Sequence, residues 1–439
     1  MDSLGLIGDV HEFVWGLLVD WISFVGIFLT LGLEFMPLRL IGFGVRQAWQ
    51  SLRHSEGEGS ISAFGALMTA LGGNVGTGSL AGMALTVSLG GPGSIFWFWV
   101  VTIVGMAVKF AETLLAVKFR THNERGEWVG GPMYFMARGL SKRWAWMGAM
   151  FAGVGTLAVF GLGNGVQAME LSHTLNVSMG LPRIVSGCLV AALTLGIISG
   201  GIQRISRVSA VLVPVMLLGY GAFMVVMLLI HSAAIPDAIK LIFNDAFSGK
   251  AVAGGALTVT VASGVRRAIF TQETGMGTTP IVHAVARPND PVLQGTIAML
   301  GNLITALVAT STGLLVICSE TYLANQDGIT MLSRAFDWGI PHSAWVGIVA
   351  TVLFTFSTLI VFAYYGERCL EYLAGSRSNR LFRLIWVGSI VVASLTEIDA
   401  LWLTTETLNS IMSVPNLIAI VVMSSSIFAI TKSYNFKAS

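Results

Sequence analysis

The sequence predicts an all-α polytopic membrane protein. Three observations carry that prediction: the composition, the length of the apolar runs, and two interruptions placed symmetrically among those runs. The 439 residues are 54% hydrophobic and only 11% charged, with a mean hydropathy of +0.77, whereas soluble domains carry about 25% charged residues. Eleven apolar stretches reach helical spanning length, at about 12–33, 61–89, 94–118, 145–172, 183–201, 208–230, 251–286, 292–318, 343–367, 381–396 and 400–431. A net charge of +2 speaks against a nucleic-acid partner. Cys188, Cys318 and Cys369 lie in or beside apolar stretches, without metal-ligand spacing or a disulfide framework. Asp2, Asp9 and Glu12 precede the first basic residue, Arg39, so the basic start of a cleaved signal peptide is not expected.

The first stretch, 12–33, reads as an extra helix ahead of the rest. With the N-terminus outside, the segments facing the cytoplasm collect eighteen of the 25 Lys and Arg. They include Arg39, Arg46 and Arg53, the group from Lys118 to Arg143, Arg204, Arg207, Arg287, the group from Arg368 to Arg383, Lys432 and Lys437. The outer segments hold only Arg183, Lys240, Lys250 and Arg334. The positive-inside bias thus predicts an outer N-terminus and a cytoplasmic C-terminus in a plasma (inner) membrane. The polar run Leu38–Ser60 reads as an amphipathic helix along the bilayer, anchored by Trp49 and Leu52. Phe96–Trp99, Trp144 and Trp146 read as interfacial belt residues.

The second stretch carries the first interruption, LGGNVGTGSLAG at Leu71–Gly82, with Gly72, Gly73, Gly76 and Gly78 within seven residues. Each glycine costs about 1 kcal/mol in a helix interior, so the cluster predicts unwinding. Unwound backbone at membrane depth is tolerated where it lines a cavity, and there it offers amides and carbonyls to substrates and ions. Close helix packing through Gly78-x-x-x-Gly82 is the competing reading. The seventh stretch, 251–286, repeats the oddity, with Ala262-Ser263-Gly264 in its middle and Arg266, Arg267 and Glu273 after it. Charges there are a functional signal; a short loop between two re-entrant pieces is the alternative. The two interruptions lie five stretches apart. Residues 61–230 and 251–431 therefore form two five-helix repeats of opposite orientation in a single transmembrane domain, with a binding site expected where the broken helices meet.

Two further stretches bring polar groups. The fourth holds Gly161, Gly163, Asn164, Gly165 and Gln167; the ninth holds Thr355, Ser357 and Thr358. Hydroxyls can simply bond back to their own helix, but beside exposed carbonyls Ser357 and Thr358 make oxygen ligands suited to a hard monovalent cation.

At these residues the sequence resembles the alanine or glycine:cation symporter family along almost its whole length. The likeness is carried by LGGNVGTGSLAGMA (Leu71–Ala84), SLGGPGSIFWFW (Ser88–Trp99), GMAVKFAETLLAVKFR (Gly105–Arg120) and GEWVGGPMYFM (Gly126–Met136). It continues in FGLGNGVQA (Phe160–Ala168), FTQETGMGTTPIVHA (Phe270–Ala284) and FSTLIVFAYYGERCLEY (Phe356–Tyr372). The resemblance implies a leucine-transporter-like fold with one helix added in front. It also implies sodium-coupled import of small neutral amino acids, alanine or glycine, by a chain acting as a monomer in the lipid bilayer. It places the substrate carboxylate on the backbone at Thr77 and Gly78, and Gln167, Gly264, Val361 and Phe362 around the substrate. It places sodium among the Gly72, Val75 and Phe354 carbonyls and the Ser357 and Thr358 hydroxyls. Asn302 and Thr260 are further polar groups near the site. Asn74 and Ser79 in the first break, Gln272 and Thr274 in the second, and Val361-Phe362 in place of the family's Gly-Trp depart from the family pattern. These departures keep serine or glutamine open as substrates, and protons stay open as the coupling ion.

Other functions fit less well. The seven histidines show no His-Glu-x-x-His spacing, and Glu273 and His283 read as structural groups, so an enzyme is not expected. An ion channel also uses unwound backbone, but opposed five-helix halves argue for alternating access.

Overall fold

The structure is a computed structural model that describes residues 3–52, 56–247, 257–324, 326–396 and 399–436. Arg53, His54, Lys250, Lys437 and the first residues of the predicted seventh stretch, 251–256, lie outside the described residues. Each predicted apolar stretch falls on helix. The chain opens with α1 (Ser3–Gly32), followed by the surface helix α2 (Ile41–Gln50) and the broken pair α3 (Ala63–Asn74) and α4 (Ala81–Gly90). Next come α5 (Ser94–Lys118), α6 (Pro132–Gly139), α7 (Trp146–Val159), α8 (Val166–Met179), α9 (Arg183–Ile198) and α10 (Gly201–Ile230). After α11 (Ile235–Ala246) the second broken pair is α12 (Leu257–Gln272) and α13 (Thr279–His283). The chain ends in α14 (Pro291–Ala298), α15 (Leu300–Cys318), α16 (Gly328–Gly339), α17 (Ala344–Ala374), α18 (Ser378–Ser394), α19 (Asp399–Val422) and α20 (Ser424–Ser433). Among the described residues, seven helical stretches are long and apolar enough to cross a membrane on their own.

Burial sorts these helices into inner and outer ones. α5 and α17 run through the interior, with Phe98, Phe110, Phe354 and Tyr365 almost wholly buried. α10 instead turns Val211, Val215, Leu218 and Leu229 outward, the apolar face that a lipid-contacting helix presents. In α2, Val45 and Trp49 are exposed, with Leu52 just beyond it, in keeping with an amphipathic surface helix. Trp144 and Trp146 are exposed as a belt requires. The Phe96–Trp99 run is different. Phe96 packs at an angle against Phe243 and edge-on against Phe247, and Trp97 Nε1 donates to the Ala246 carbonyl. Its rings dock α11 over the start of α5 rather than standing free at an interface.

The two breaks arise by different physics. In the first, Gly72 and Gly73 stay helical, and none of Gly72, Gly73, Gly76 or Gly78 has positive φ. These glycines make room: a Cβ on Gly72 would lie 3.2 Å from Val213, and one on Gly76 only 2.9 Å from Thr358 Oγ1. The second break is not at Ala262-Ser263-Gly264, as the sequence suggested, because α12 runs unbroken through Gly264 to Gln272. It lies at 273–278, where Glu273 (φ 50°), Gly275 (φ 73°) and Gly277 (φ 79°) turn left-handed, a region glycine enters at no steric cost. Gly264 is a packing glycine, since a Cβ there would collide with the Ser94 carbonyl and sit 3.0 Å from Trp97 Cβ.

Short strands tie the breaks together at one face. β1 (Ile61–Ser62), leading into α3, pairs in parallel with β4 (Ala286–Arg287), which follows α13. Arg120 reinforces the pair by donating to the carbonyls of Ala284 (3.1 Å), Ala286 (2.9 Å) and Glu58 (2.8 Å), while its guanidinium lies over the Trp128 ring. The hairpin of β2 (Thr121–His122) and β3 (Trp128–Val129) is held to α17 by Arg368, whose Nη1 lies 3.3 Å from Glu127 Oε2. Burial pushes the Glu127 carboxyl up, but hydrogen bonds from Asn123 and the charge of Arg368 outweigh it and hold it below its ordinary value.

The packing of α12 on α5 yields a test. Gly264→Val forces two methyls toward the Ser94 carbonyl, an overpacking that costs about 1–3 kcal/mol. A melt of the detergent-purified protein should show a clear fall in Tm. An unchanged Tm would mean that the two helices are not in close contact at Gly264.

Candidate functional site

The first break and α17 bring five oxygens together. Ser357 Oγ lies 2.9 Å from the Gly72 carbonyl and 2.8 Å from that of Phe354. Thr358 Oγ1 lies 3.2 Å from the Gly72 carbonyl, 3.4 Å from that of Gly73 and 3.1 Å from that of Phe354. Each hydroxyl has one proton to donate, so acceptors outnumber protons in a dry cluster. That surplus of neutral oxygen is what a hard monovalent cation completes. Four of the five predicted ion ligands are thus adjacent. The fifth, Val75, is buried and closes α3, its N–H bonding back to Leu71; among the described residues neither hydroxyl bonds to its carbonyl.

Beside this cluster lies a void of about 20 Å³, lined by residues that include Gly76, Gly78, Gln167, Phe270, Glu273 and Phe362. Such a volume holds about one water molecule, so the surrounding helices are closed on each other here. The backbone at Thr77–Ser79 forms a tight turn whose bonds begin with Ser79 N–H to the Gly76 carbonyl. The amides of Thr77 and Gly78 head that turn, where an anion is favoured. Thr77 itself faces a second, wider cavity of about 540 Å³, with Arg267, Glu170, Glu406 and Asp327 on its wall. Asp327 caps α16 by accepting from Thr330 N–H. Partial burial pushes its carboxyl up, but the Thr330 hydrogen bonds outweigh this and hold it below its ordinary value.

Gln167 reaches the void because the chain is under-wound just before it. Residues Phe160–Gly165 form a wide π-turn, a feature frequent at functional sites. Gln167 Nε2 donates to the Leu162 carbonyl (3.1 Å), leaving Oε1 without a protein partner and 3.4 Å from where a Gly76 Cβ would stand. Phe362 lies against Gly163 so closely that any Cβ there would enter its ring.

While Thr77 faces the wider cavity, the structure brings Gly78, Gln167 and Phe362 to one void. It does not bring Gly264 there, since that residue packs on α5. Val361 is also elsewhere: it braces the first break, its methyls 3.4 Å and 3.1 Å from Cβ positions built on Gly72 and Gly73. Asn302 Nδ2 bonds Thr274 Oγ1 at 3.1 Å and so steadies the second break, whereas Thr260 lies well before that break on α12. Sequence reasoning missed Phe270, Thr271 and Glu273 as lining residues. Their signal was the left-handed turn encoded by Gly275 and Gly277.

Comparison with known proteins identifies the family and the fold. A family model described as the sodium:alanine symporter family matches residues 2–439. The sodium/alanine symporter AgcS of Methanococcus maripaludis is 36% identical over 444 residues, covering 99% of this chain and 98% of that protein. The probable sodium/glutamine symporter GlnT of Bacillus subtilis is 33% identical over 438 residues, covering 98% and 90%. Among solved structures, MhsT in complex with L-phenylalanine superimposes with a TM-score of 0.62 at 15% identity, covering 87% of this chain and 94% of that one. At that identity the likeness establishes the shared fold alone.

The contact between Gly163 and Phe362 can be tested without any ligand. Gly163→Ala should lower the Tm of the purified protein, because its methyl displaces the ring. In a Phe362→Gly background, which removes the Cβ, Cγ and Cδ1 that the methyl meets, the same Gly163→Ala change should cost much less, since neighbours sharing one space are not additive. Additive losses in the double variant would show that the ring does not rest on Gly163.

Proposed function

The chain belongs to the sodium:alanine symporter family, a family of transporters rather than enzymes, and from that premise we propose that it is a sodium-coupled symporter importing small neutral amino acids by alternating access. The observation that carries the proposal is the meeting of the Gly72, Gly73 and Phe354 carbonyls with the Ser357 and Thr358 hydroxyls beside the void. A sodium ion there would bridge α17 to the first break. Ion binding would thereby fix the backbone whose Thr77 and Gly78 amides receive the substrate carboxylate. Helix-end amides suit that anion, and the neutral oxygen cluster favours sodium over a proton because it holds no titrating group.

In this reading residues 61–230 and 251–431 are opposed five-helix repeats, eleven spans cross the membrane, and the chain works as a monomer. The 540 Å³ cavity on the Asp327 side is the outer vestibule, and the strand pair under Arg120 closes the cytoplasmic side. Alanine and glycine are the proposed substrates. Serine and glutamine belong in the same assay, the latter because one relative is named for it. Phe362 stands at the void and sets its size; Val361 acts through the first break.

Thr358→Ala removes one oxygen from the cluster. A lost ligand of this kind costs about 1–3 kcal/mol, or about fivefold to a hundredfold in affinity. The sodium concentration for half-maximal uptake in proteoliposomes should rise by that factor at unchanged protein abundance. An unaltered sodium dependence would place the ion elsewhere. Because each charge gains about 2.3 kcal/mol per 100 mV, uptake of a zwitterion with sodium should also carry current.

Orientation is tested separately. Single cysteines near Arg125 and Arg380 should resist an impermeant thiol reagent in intact cells, and one near Asp327 should react. The reverse pattern would invert the topology.

A further inference from the structure

The void has one formally charged side chain on its wall, Glu273, among the described residues. That carboxylate is 1% exposed. Its Oε2 accepts from Thr278 Oγ1, with Thr279 Oγ1 at 3.5 Å. Its Oε1 has no hydrogen-bond partner among the described residues. A Cβ built on Gly73 would stand 3.3 Å from Oε1 and 3.5 Å from the Tyr365 hydroxyl, which is likewise without a partner. Two unpartnered oxygens thus flank the same point of the first break.

The cation nearest to hand is already engaged. Lys109, 0% exposed, reaches over from α5 and lies 3.3 Å from Glu112 Oε1. Its other contacts are with the backbone carbonyl of Glu273 at 2.9 Å and Thr279 Oγ1 at 3.0 Å. Asn416 completes the Glu112 carboxylate from the far side at 3.0 Å and also holds the Gly275 carbonyl at 2.8 Å. Lys109 and Glu112 therefore form a closed pair that props the second break, and the carboxylate of Glu273 is left over. A buried carboxylate without a counter-ion is strongly unfavourable and takes up a proton instead, so Glu273 carries its charge when a positive centre stands on the Oε1 side, beside the void.

We propose that the Glu273 carboxylate anchors a monovalent cationic centre in the void, supplied by the substrate ammonium or by a second sodium ion. The inference rests on the symport reading above. The helix-end amides of the first break would take the substrate carboxylate while Glu273 takes the positive charge, so each break would hold one pole. The same arrangement rejects a carboxylic acid that lacks the amine, since Glu273 would then stay unpaired.

The test compares the parent with Glu273→Gln and Glu273→Asp, purified and reconstituted, using alanine, lactate, sodium and choline as probes. If the ammonium is the partner, Glu273→Gln raises half-saturating alanine at least tenfold and narrows the preference for alanine over lactate, with charge per alanine unchanged. If sodium is the partner, charge moved per alanine falls by one, and sodium protects the variant against thermal unfolding less than the parent, relative to choline, without any amino acid. Either pattern supports the anchor. A folded Glu273→Gln protein that stays within twofold of the parent in alanine and sodium dependence, charge ratio and sodium protection overturns it. Should Glu273→Gln fail to fold, Glu273→Asp decides: it keeps the charge but withdraws the oxygens by one methylene, and parent-like behaviour in all four readouts overturns the anchor. A parent that shows no sodium-dependent amino acid uptake instead sinks the symport reading. Thermal protection by alanine and by sodium then judges Glu273 by itself, equality of both in parent and variant overturning the anchor.

Discussion

An unwound backbone inside a dry helical bundle has to find partners for its amides and carbonyls, and much of this structure follows from that requirement. Water is not available to satisfy them, and each orphaned group costs several kcal/mol at membrane depth. The first break meets the demand with two hydroxyls of α17 on the Gly72 and Gly73 carbonyls. The second meets it with Lys109 on the Glu273 carbonyl and Asn416 on that of Gly275. One break is served by neutral groups with oxygen to spare, the other by a built-in ammonium. The first is therefore open to a mobile ion at its carbonyls, while the second carries its own.

This asymmetry also sorts the groups around the two breaks. Lys109 and Asn416 stand behind the second break and hold its shape. Gly76, Gly78, Gln167 and Phe362 stand in front, where the void is. The π-turn at Phe160–Gly165 belongs to the same logic: it presents the Leu162 carbonyl to the Gln167 amide and so aims the opposite oxygen at the first break.

Much of the fold was legible in the sequence because membrane helices announce themselves by length and composition. Each apolar stretch lies on helix, and the first break falls where the glycines cluster. Ser357 and Thr358 were legible because hydroxyls at successive positions are unusual company for exposed carbonyls. The second break was misplaced because Ser263-Gly264 and Gly275-x-Gly277 look equally disruptive in a string of letters. Only the neighbouring helix reveals that Gly264 answers to Ser94, while Gly275 and Gly277 answer to handedness. Val361 was misassigned for a similar reason. Its neighbour Phe362 faces the void, and adjacent residues on a helix point about 100° apart. Glu273 reads as a structural group in the sequence, which does not show that Lys109 is engaged with Glu112.

The hydrogen bonds of the Arg120 clamp run to main chain. Its guanidinium addresses the carbonyls of Glu58, Ala284 and Ala286, and the strand pair beside it is likewise main chain against main chain. Glu58 is exposed, so these bonds do not depend on its side chain, whereas Ala284 and Ala286 are fully buried and the arginine itself has no equivalent. A lysine supplies charge but not the planar fork that spans several carbonyls at once. The start of one broken helix and the end of the other are thus locked into a shared corner whose identity resides in shape. Any rearrangement that moves one of them has to carry the other along or peel the corner open.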